Sequence, residues 1–157
     1  MTQFARVIRL DDSDLNVFQT AADIGEWAIS GAFAFSDWSE DDLTGKQRQA
    51  FANGWLGLDS FGRSTFVAVS PITDAEVAAL TDALAAHFVV AYGAPSLEVA
   101  HPVAAREIEQ MREMCEDHAP NTLMVVERTL EDVGIREKFR TIKPRDAALE
   151  AFAVHGT

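Results

Sequence analysis

From Phe4 to Leu10 the chain alternates, with Phe4, Arg6, Ile8 and Leu10 set against Ala5, Val7 and Arg9, and a period of two predicts a strand. The cluster Asp11-Asp12-Ser13-Asp14 closes it as a turn, because carboxylates and hydroxyls hydrogen-bond nearby backbone. Leu15 to Phe18 reads as a second short strand. After Gly25, the stretch EWAISGAFAF places Trp27, Ile29, Phe33 and Phe35 among small residues and predicts one long strand, bent at Gly31. Ser39 followed by Glu40, Asp41 and Asp42 is a cap and an acidic first turn for a helix reaching about Asn53. LGLDSFGRS reads as a loop, and Thr65 to Ser70 as a strand that Pro71 ends.

The second half is more regular. Thr73 with Glu76 forms a capping box, and Val77, Leu80, Leu84, Phe88 and Tyr92 recur at helical spacing, so residues 74–91 predict an amphipathic helix stopped by Gly93. His101 is read as a cap, with Pro102 in the first turn of a further helix reaching about Asp117. That helix carries Ala104, Ile108, Met111, Cys115 and His118 on one stripe and charged residues opposite. Leu123 to Thr129 reads as a strand, and GIREKFRTIKP as its hairpin partner across Glu131-Asp132-Val133-Gly134. Residues 143–157 predict a short helix and a loose end. The order implies an α+β fold, a mostly antiparallel sheet covered on one face by two to three helices, in a single domain spanning residues 1–157.

Charge narrows the partners. Among 157 residues, 25 are acidic and 13 basic, a net charge of −12, so a phosphate backbone would be repelled and nucleic acid is not an expected partner. No apolar run approaches the roughly 20 residues that span a bilayer, and no membrane is expected. The single cysteine, Cys115, and a start without an apolar signal core predict a cytoplasmic protein. Residues 1–127 hold 7 basic and 20 acidic side chains, whereas residues 128–157 hold 6 and 5. Arg136, Lys138 and Arg140 thus mark the terminal hairpin either as a protected edge strand or as a surface for an acidic partner.

Candidate chemistry is sparse. Met111, Cys115 and His118, at i, i+4 and i+7, join thioether, thiol and imidazole on one helical face and suit a soft or borderline metal; ordinary core packing is the simpler reading of that stripe. Between Asp59 and Thr65, Arg63 can clamp a carboxylate or phosphate, with Ser60 and Ser64 beside it, while a structural turn explains the same residues. No GxSxG, HExxH or nucleophile–base arrangement is present, and no cofactor is implied.

Four blocks, RVIRLDDSD at 6–14, GEWAISGAFAF at 25–35, LTGKQRQAF with GWLGLDSFGRSTFV at 43–67, and NTLMVVERTLEDVGIREKFRTIKP at 121–144, resemble a family of uncharacterised bacterial proteins classed as a domain of unknown function. The resemblance covers most of the chain. It implies an assembly or accessory role, in the neighbourhood of molybdenum-dependent formate dehydrogenase accessory factors and a lipoate-ligase-like protein, and carries over no functional residue. The combined expectation is a non-enzymatic, self-associating binding or accessory protein. A small-ligand domain or minor enzyme using the Gly62-Arg63-Ser64 loop, and a soft-metal carrier, are the alternatives. A homodimer, or a complex with a larger partner, would form through a sheet edge or the helix pair. Trp38 and the stretch Gly54-Trp55-Leu56-Gly57-Leu58 are expected to leave apolar surface for it.

Overall fold

The computed structural model describes residues 2–142, and the short helix and loose end expected at 143–157 lie outside them. β1 (Thr2–Ile8) forms where the alternation begins, and it is central enough that Phe4 and Ala5, pointing to opposite faces, are both fully buried. Leu15 to Phe18 is not a strand. Asp14–Val17 makes one turn of helix, α1, because Asp14 turns inward and takes hydrogen bonds from the Thr65 amide (3.2 Å) and hydroxyl (2.6 Å). The EWAISGAFAF stretch is strand only as β2 (Trp27–Ile29); Gly31, at φ 70°, then turns the chain into a 3-10 turn, Ala32–Phe35.

Ser39 and Asp42 do form a capping box, but over a 3-10 turn (Glu40–Asp42), and α2 starts afresh at Gly45–Asn53. The expected loop after it contains two short strands, β3 (Trp55–Gly57) and β4 (Arg63–Ser64). β5 (Phe66–Ile72) runs through Pro71 instead of ending there. On its far side β5 pairs with the next strand only at Val67 and Ala68, so Pro71 has no ladder bond to lose.

α3 (Asp74–Tyr92) is built as its sequence indicates. The Thr73 hydroxyl accepts from the Glu76 amide at 3.1 Å, the Glu76 carboxylate accepts from the Thr73 amide at 3.0 Å, and Gly93 ends the helix at φ 71°. α4 (Leu97–Glu116) begins earlier than expected. Ser96, not His101, is its cap, accepting from the Val99 amide at 3.1 Å, and Pro102 lies inside the helix on an exposed position. The carbonyl that Pro102 leaves unpaired there can turn to water. β6 (Leu123–Glu131) and β7 (Gly134–Ile142) form the expected hairpin.

All named strand pairs are antiparallel, in the order β4-β3-β2-β1-β5-β6-β7, with α3 and α4 an antiparallel helix pair and α4 crossing β1. The α+β architecture is thus as the sequence implies. The sheet is strongly curled. Trp55 of β3 and Phe139 of β7, far apart in strand order, bring their rings to 5.6 Å, and the Asn53 amide group donates to the Val126 carbonyl at 3.0 Å. One buried cluster fills the curl and the space beneath α4, from Phe4, Val7 and Trp55 to Leu84, Ile108 and Val126.

Candidate functional site

Arg63, on the edge strand β4, is 8% exposed and turned inward. Its guanidinium donates to the carbonyls of Gly54 (3.2 Å), Ser30 (3.3 Å) and Gly31 (3.2 Å) and lies 4.5 Å above the Phe35 ring. Arg128 reaches the same place from β6. It is 3% exposed, donates to the Gly54 carbonyl at 2.8 Å and the Phe51 carbonyl at 3.0 Å, bonds the Ser30 carbonyl, and pairs with Glu137 at 2.8 Å. β4 at one edge of the sheet and β6, next to the other edge, therefore hold the same carbonyls, and the arginine pair clasps the curl closed.

The clasp depends on unpaired carbonyls at the end of α2 and after β2, where a helix or strand cannot satisfy its own backbone. It also depends on Gly31, because a Cβ there would stand 2.5 Å from the Leu56 Cβ and 2.9 Å from the Arg63 guanidinium. Burial, and then the neighbouring Arg128, draw the Arg63 pKa down to about 9, so Arg63 is charged at neutral pH; burial lowers the Arg128 pKa as well, against the pull of Glu137. A ligand reaching Arg63 would have to displace these carbonyls. Ser64 is fully buried and its hydroxyl donates to the Phe66 carbonyl at 2.8 Å, while the Ser60 hydroxyl donates to Glu26 at 2.8 Å. The three residues read together from the loop thus face three different sets of partners. Arg128 could not be read as belonging with Arg63, since nothing local in LMVVERT distinguishes an inward arginine from an outward one.

Met111 and Cys115 are buried on α4, and burial pushes the Cys115 thiol up to about 12, so it stays protonated at neutral pH. His118 lies past the end of the helix at Glu116, off the spacing that would keep it on the stripe. Among the described residues no group of three or more His, Cys, Asp and Glu side chains could hold a metal ion.

The expected apolar surface has a different address. Trp55 and Leu56 are buried because they lie in β3, Leu58 is buried just after it with its amide on the Trp27 carbonyl, and Trp38 is half-buried against Phe35 at 4.8 Å. Exposed apolar side chains gather instead at the free end of the α3–α4 pair: Val90 (86% exposed), Tyr92, Leu97, Val99 and Val103. Tyr92, Val99 and Val103 border a hollow of about 210 Å³ floored by Phe33 and Phe88. Glu107 closes its inner end, its pKa raised by burial and then by Glu137.

The apolar surface continues down α3. Ala75, Ala79, Ala83, Ala86 and Val90 follow one another at three- and four-residue spacing, all exposed, opposite the buried Leu84 and Phe88. α3 carries no lysine or arginine, and its exposed Asp82 approaches His101 of α4 at 3.4 Å. By length and composition it is the one described helix that could cross a membrane.

These features define an α+β protein with a clasped, curled antiparallel sheet and a helix pair in which α3 has an apolar outer face. Its sequence over residues 1–157 places the chain in the family of unknown function DUF6505, to which it belongs. No curated protein and no solved structure matches the chain.

Proposed function

We propose that the protein is a non-enzymatic, self-associating binding protein that pairs with a second copy through the outer face of α3 and the free end of the α3–α4 pair. The observation that carries this reading is that α3 exposes an apolar stripe, Ala75, Ala79, Ala83, Ala86 and Val90, opposite its buried face, with Asp82 the one charged side chain beside the middle of that stripe. A helix of that kind is a core helix, and it needs cover on both sides. The alanines at 75, 79, 83 and 86 allow close helix–helix approach, and Val90 and Tyr92 supply larger contacts.

A second copy suits the charge. A chain of net charge −12 can meet itself only where its charges are sparse, and between Phe88 and Val103 the only Asp, Glu, Lys or Arg is Glu98. A two-fold interface centred near Ala83 sets like patch against like patch. A membrane surface suits it less, since helices that lie on anionic lipid carry basic residues beside their apolar face and α3 has none. The buried thiol, and hydroxyls engaged by carboxylate and carbonyl, support a binding role over nucleophilic catalysis. A cytoplasmic location fits the single cysteine. An accessory role beside a bacterial formate dehydrogenase rests on the sequence resemblance alone.

Cysteine cross-linking tests the pairing. With Ala83→Cys, mild oxidation gives a disulfide-linked dimer, whereas Glu109→Cys on the polar side of α4 gives none; Cys115, buried, is silent in both. Equal cross-linking of both variants, or of neither, overturns the reading. So does a fluorophore on Ala83→Cys that responds only to added phospholipid vesicles, which would point to a lipid surface.

A further inference from the structure

Gly31 turns the chain into the 3-10 turn Ala32–Phe35, and that turn carries Phe33 across to Phe88 and Tyr92 of α3. The three rings stand nearly perpendicular to one another. Phe33 and Phe88 meet at 83° with centroids 5.0 Å apart, Phe33 and Tyr92 at 74° and 5.5 Å, and Phe88 and Tyr92 at 84° and 6.1 Å. All three border the hollow of about 210 Å³ at the free end of the helix pair, as the walls of a corner. Val99 and Val103 of α4 line it as well, and Ala94 and Ala100 are small enough to leave the space open. The remaining lining residue is Glu107.

Glu107 is the one charged side chain on this hollow. It is half-buried, and among the described residues it makes neither an ion pair nor a side-chain hydrogen bond. Glu137, the carboxylate that acts on it, is already paired with Arg128 at 2.8 Å. Arg106, its neighbour in the chain, is exposed and favours its charge from a distance. Arg63 is close enough to act on Tyr92, but its guanidinium bonds the three clasp carbonyls and not Glu107. A partly desolvated carboxylate with no cation beside it costs stability, and a cation supplied from outside would offset that cost. Aromatic faces attract the same charge, because each ring carries its negative quadrupole there. A primary ammonium has three donors to satisfy, whereas the lining side chains offer one carboxylate and the Tyr92 hydroxyl. A fully methylated ammonium has no donors and presents its charge through apolar methyl groups, which suits rings, valines and a single carboxylate.

We propose that this hollow binds the quaternary ammonium group of a small free molecule, with Phe33, Phe88 and Tyr92 around its methyl groups and Glu107 as its counter-ion. The lining residues all belong to one molecule, so the site does not rest on the pairing of copies.

A nuclear magnetic resonance titration with choline chloride tests it, with 3,3-dimethyl-1-butanol, of the same shape but uncharged, as the comparison. The choline methyl resonance is expected to move upfield, since the methyl groups lie over ring faces, and the amides of Phe88, Tyr92 and Val103 to shift with it. The alcohol, and choline with Glu107→Gln or Phe33→Leu, should bind roughly tenfold more weakly or less well still. Glu113→Gln, which removes an exposed acid elsewhere on α4, should change nothing. Equal binding of the alcohol would reduce the site to an apolar hollow, and an equal loss with Glu113→Gln would reduce it to the general attraction of an acidic protein; either overturns the proposal. So does binding to phosphatidylcholine vesicles with none to free choline. Should Phe33→Leu disturb folding, Glu107→Gln decides alone. The titration is run on the wild-type chain and on Ala83→Arg. Binding by both, or by Ala83→Arg alone because a second copy covers the mouth, supports a site within one molecule. Binding by the wild type alone would make it a product of pairing and overturn the proposal, and binding by neither overturns it whatever the state of pairing.

Discussion

α3 and α4 are neighbours of nearly equal length with opposite surfaces. α4 buries Ala100, Ala104, Ile108, Met111 and Cys115 and turns Glu98, Arg106, Glu109, Glu113 and Glu116 to water, leaving apolar side chains exposed only near its start, at Leu97, Val99 and Val103. α3 buries Leu84, Ala85 and Phe88 and turns Ala75, Ala79, Ala83, Ala86 and Val90 outward. The difference teaches that burial of one face does not complete a helix. Beyond its first turns α4 turns a charged face to water, whereas α3 keeps an apolar one there, the face through which pairing with a second copy is proposed.

The inner faces should behave alike. Leu84→Ala on α3 and Ile108→Ala on α4 each empty a fully packed site, and each is expected to cost about 2–5 kcal/mol in chemical denaturation. A clear inequality, with Leu84→Ala nearly neutral, would show α3 to be loosely docked and would break the comparison at its base.

Next in size is the clasp that shapes the sheet under α4. Arg63→Ala removes the guanidinium's hydrogen bonds to the Ser30, Gly31 and Gly54 carbonyls and leaves Arg128 alone in the clasp, and should lower stability by about 1–3 kcal/mol. A change within about 0.5 kcal/mol, the range of an ordinary surface substitution, would mean that Arg63 contributes nothing to the curl.

A smaller effect separates α4 from α3 by pH. The pKa of Glu107 in the folded protein is raised above its ordinary value of 4.5, by burial first and by Glu137 second. Its ionisation therefore opposes folding: the penalty is absent below the unfolded pKa, grows as pH rises through the folded one, and is complete above it. Glu107→Gln should raise Tm at pH 7 and leave it unchanged at pH 3.5. A gain that persists undiminished at pH 3.5 would assign the effect to packing instead of charge.

Much of this contrast was legible in the sequence. The Thr73–Glu76 box, Gly93 and the stripe through Leu84 and Phe88 bounded α3, and the alternation of GIREKFRTI gave β7, because local chemistry and burial agree there. Short elements were not legible. Leu15 to Phe18 is too brief to separate a period of two from one of 3.6, and the phenylalanines at 33 and 35 mimic a strand although Gly31 has turned the chain into a 3-10 turn. Trp55 read as a helix end and Leu56 as loop because β3 has three residues and is held by neighbours distant in sequence.

The site was legible only in part. Arg63 stood out among the loop residues, but its partner Arg128 is 65 positions away, and only the fold reveals that both reach Gly54. The outer face of α3 was hidden for another reason. Alanine suits a buried and an exposed helical position alike, so the stripe at 75, 79, 83 and 86 announces neither; the absence of lysine and arginine from the helix was the available signal.

Sedimentation equilibrium at micromolar concentration tests the central claim, that the outer face of α3 is an interface between two copies. The wild-type chain is expected at twice its 17.2 kDa mass, and Ala83→Arg, with an unchanged circular dichroism spectrum, at the single mass. A wild-type protein that stays at 17.2 kDa across the concentration range, or an Ala83→Arg variant that remains a dimer, would contradict it.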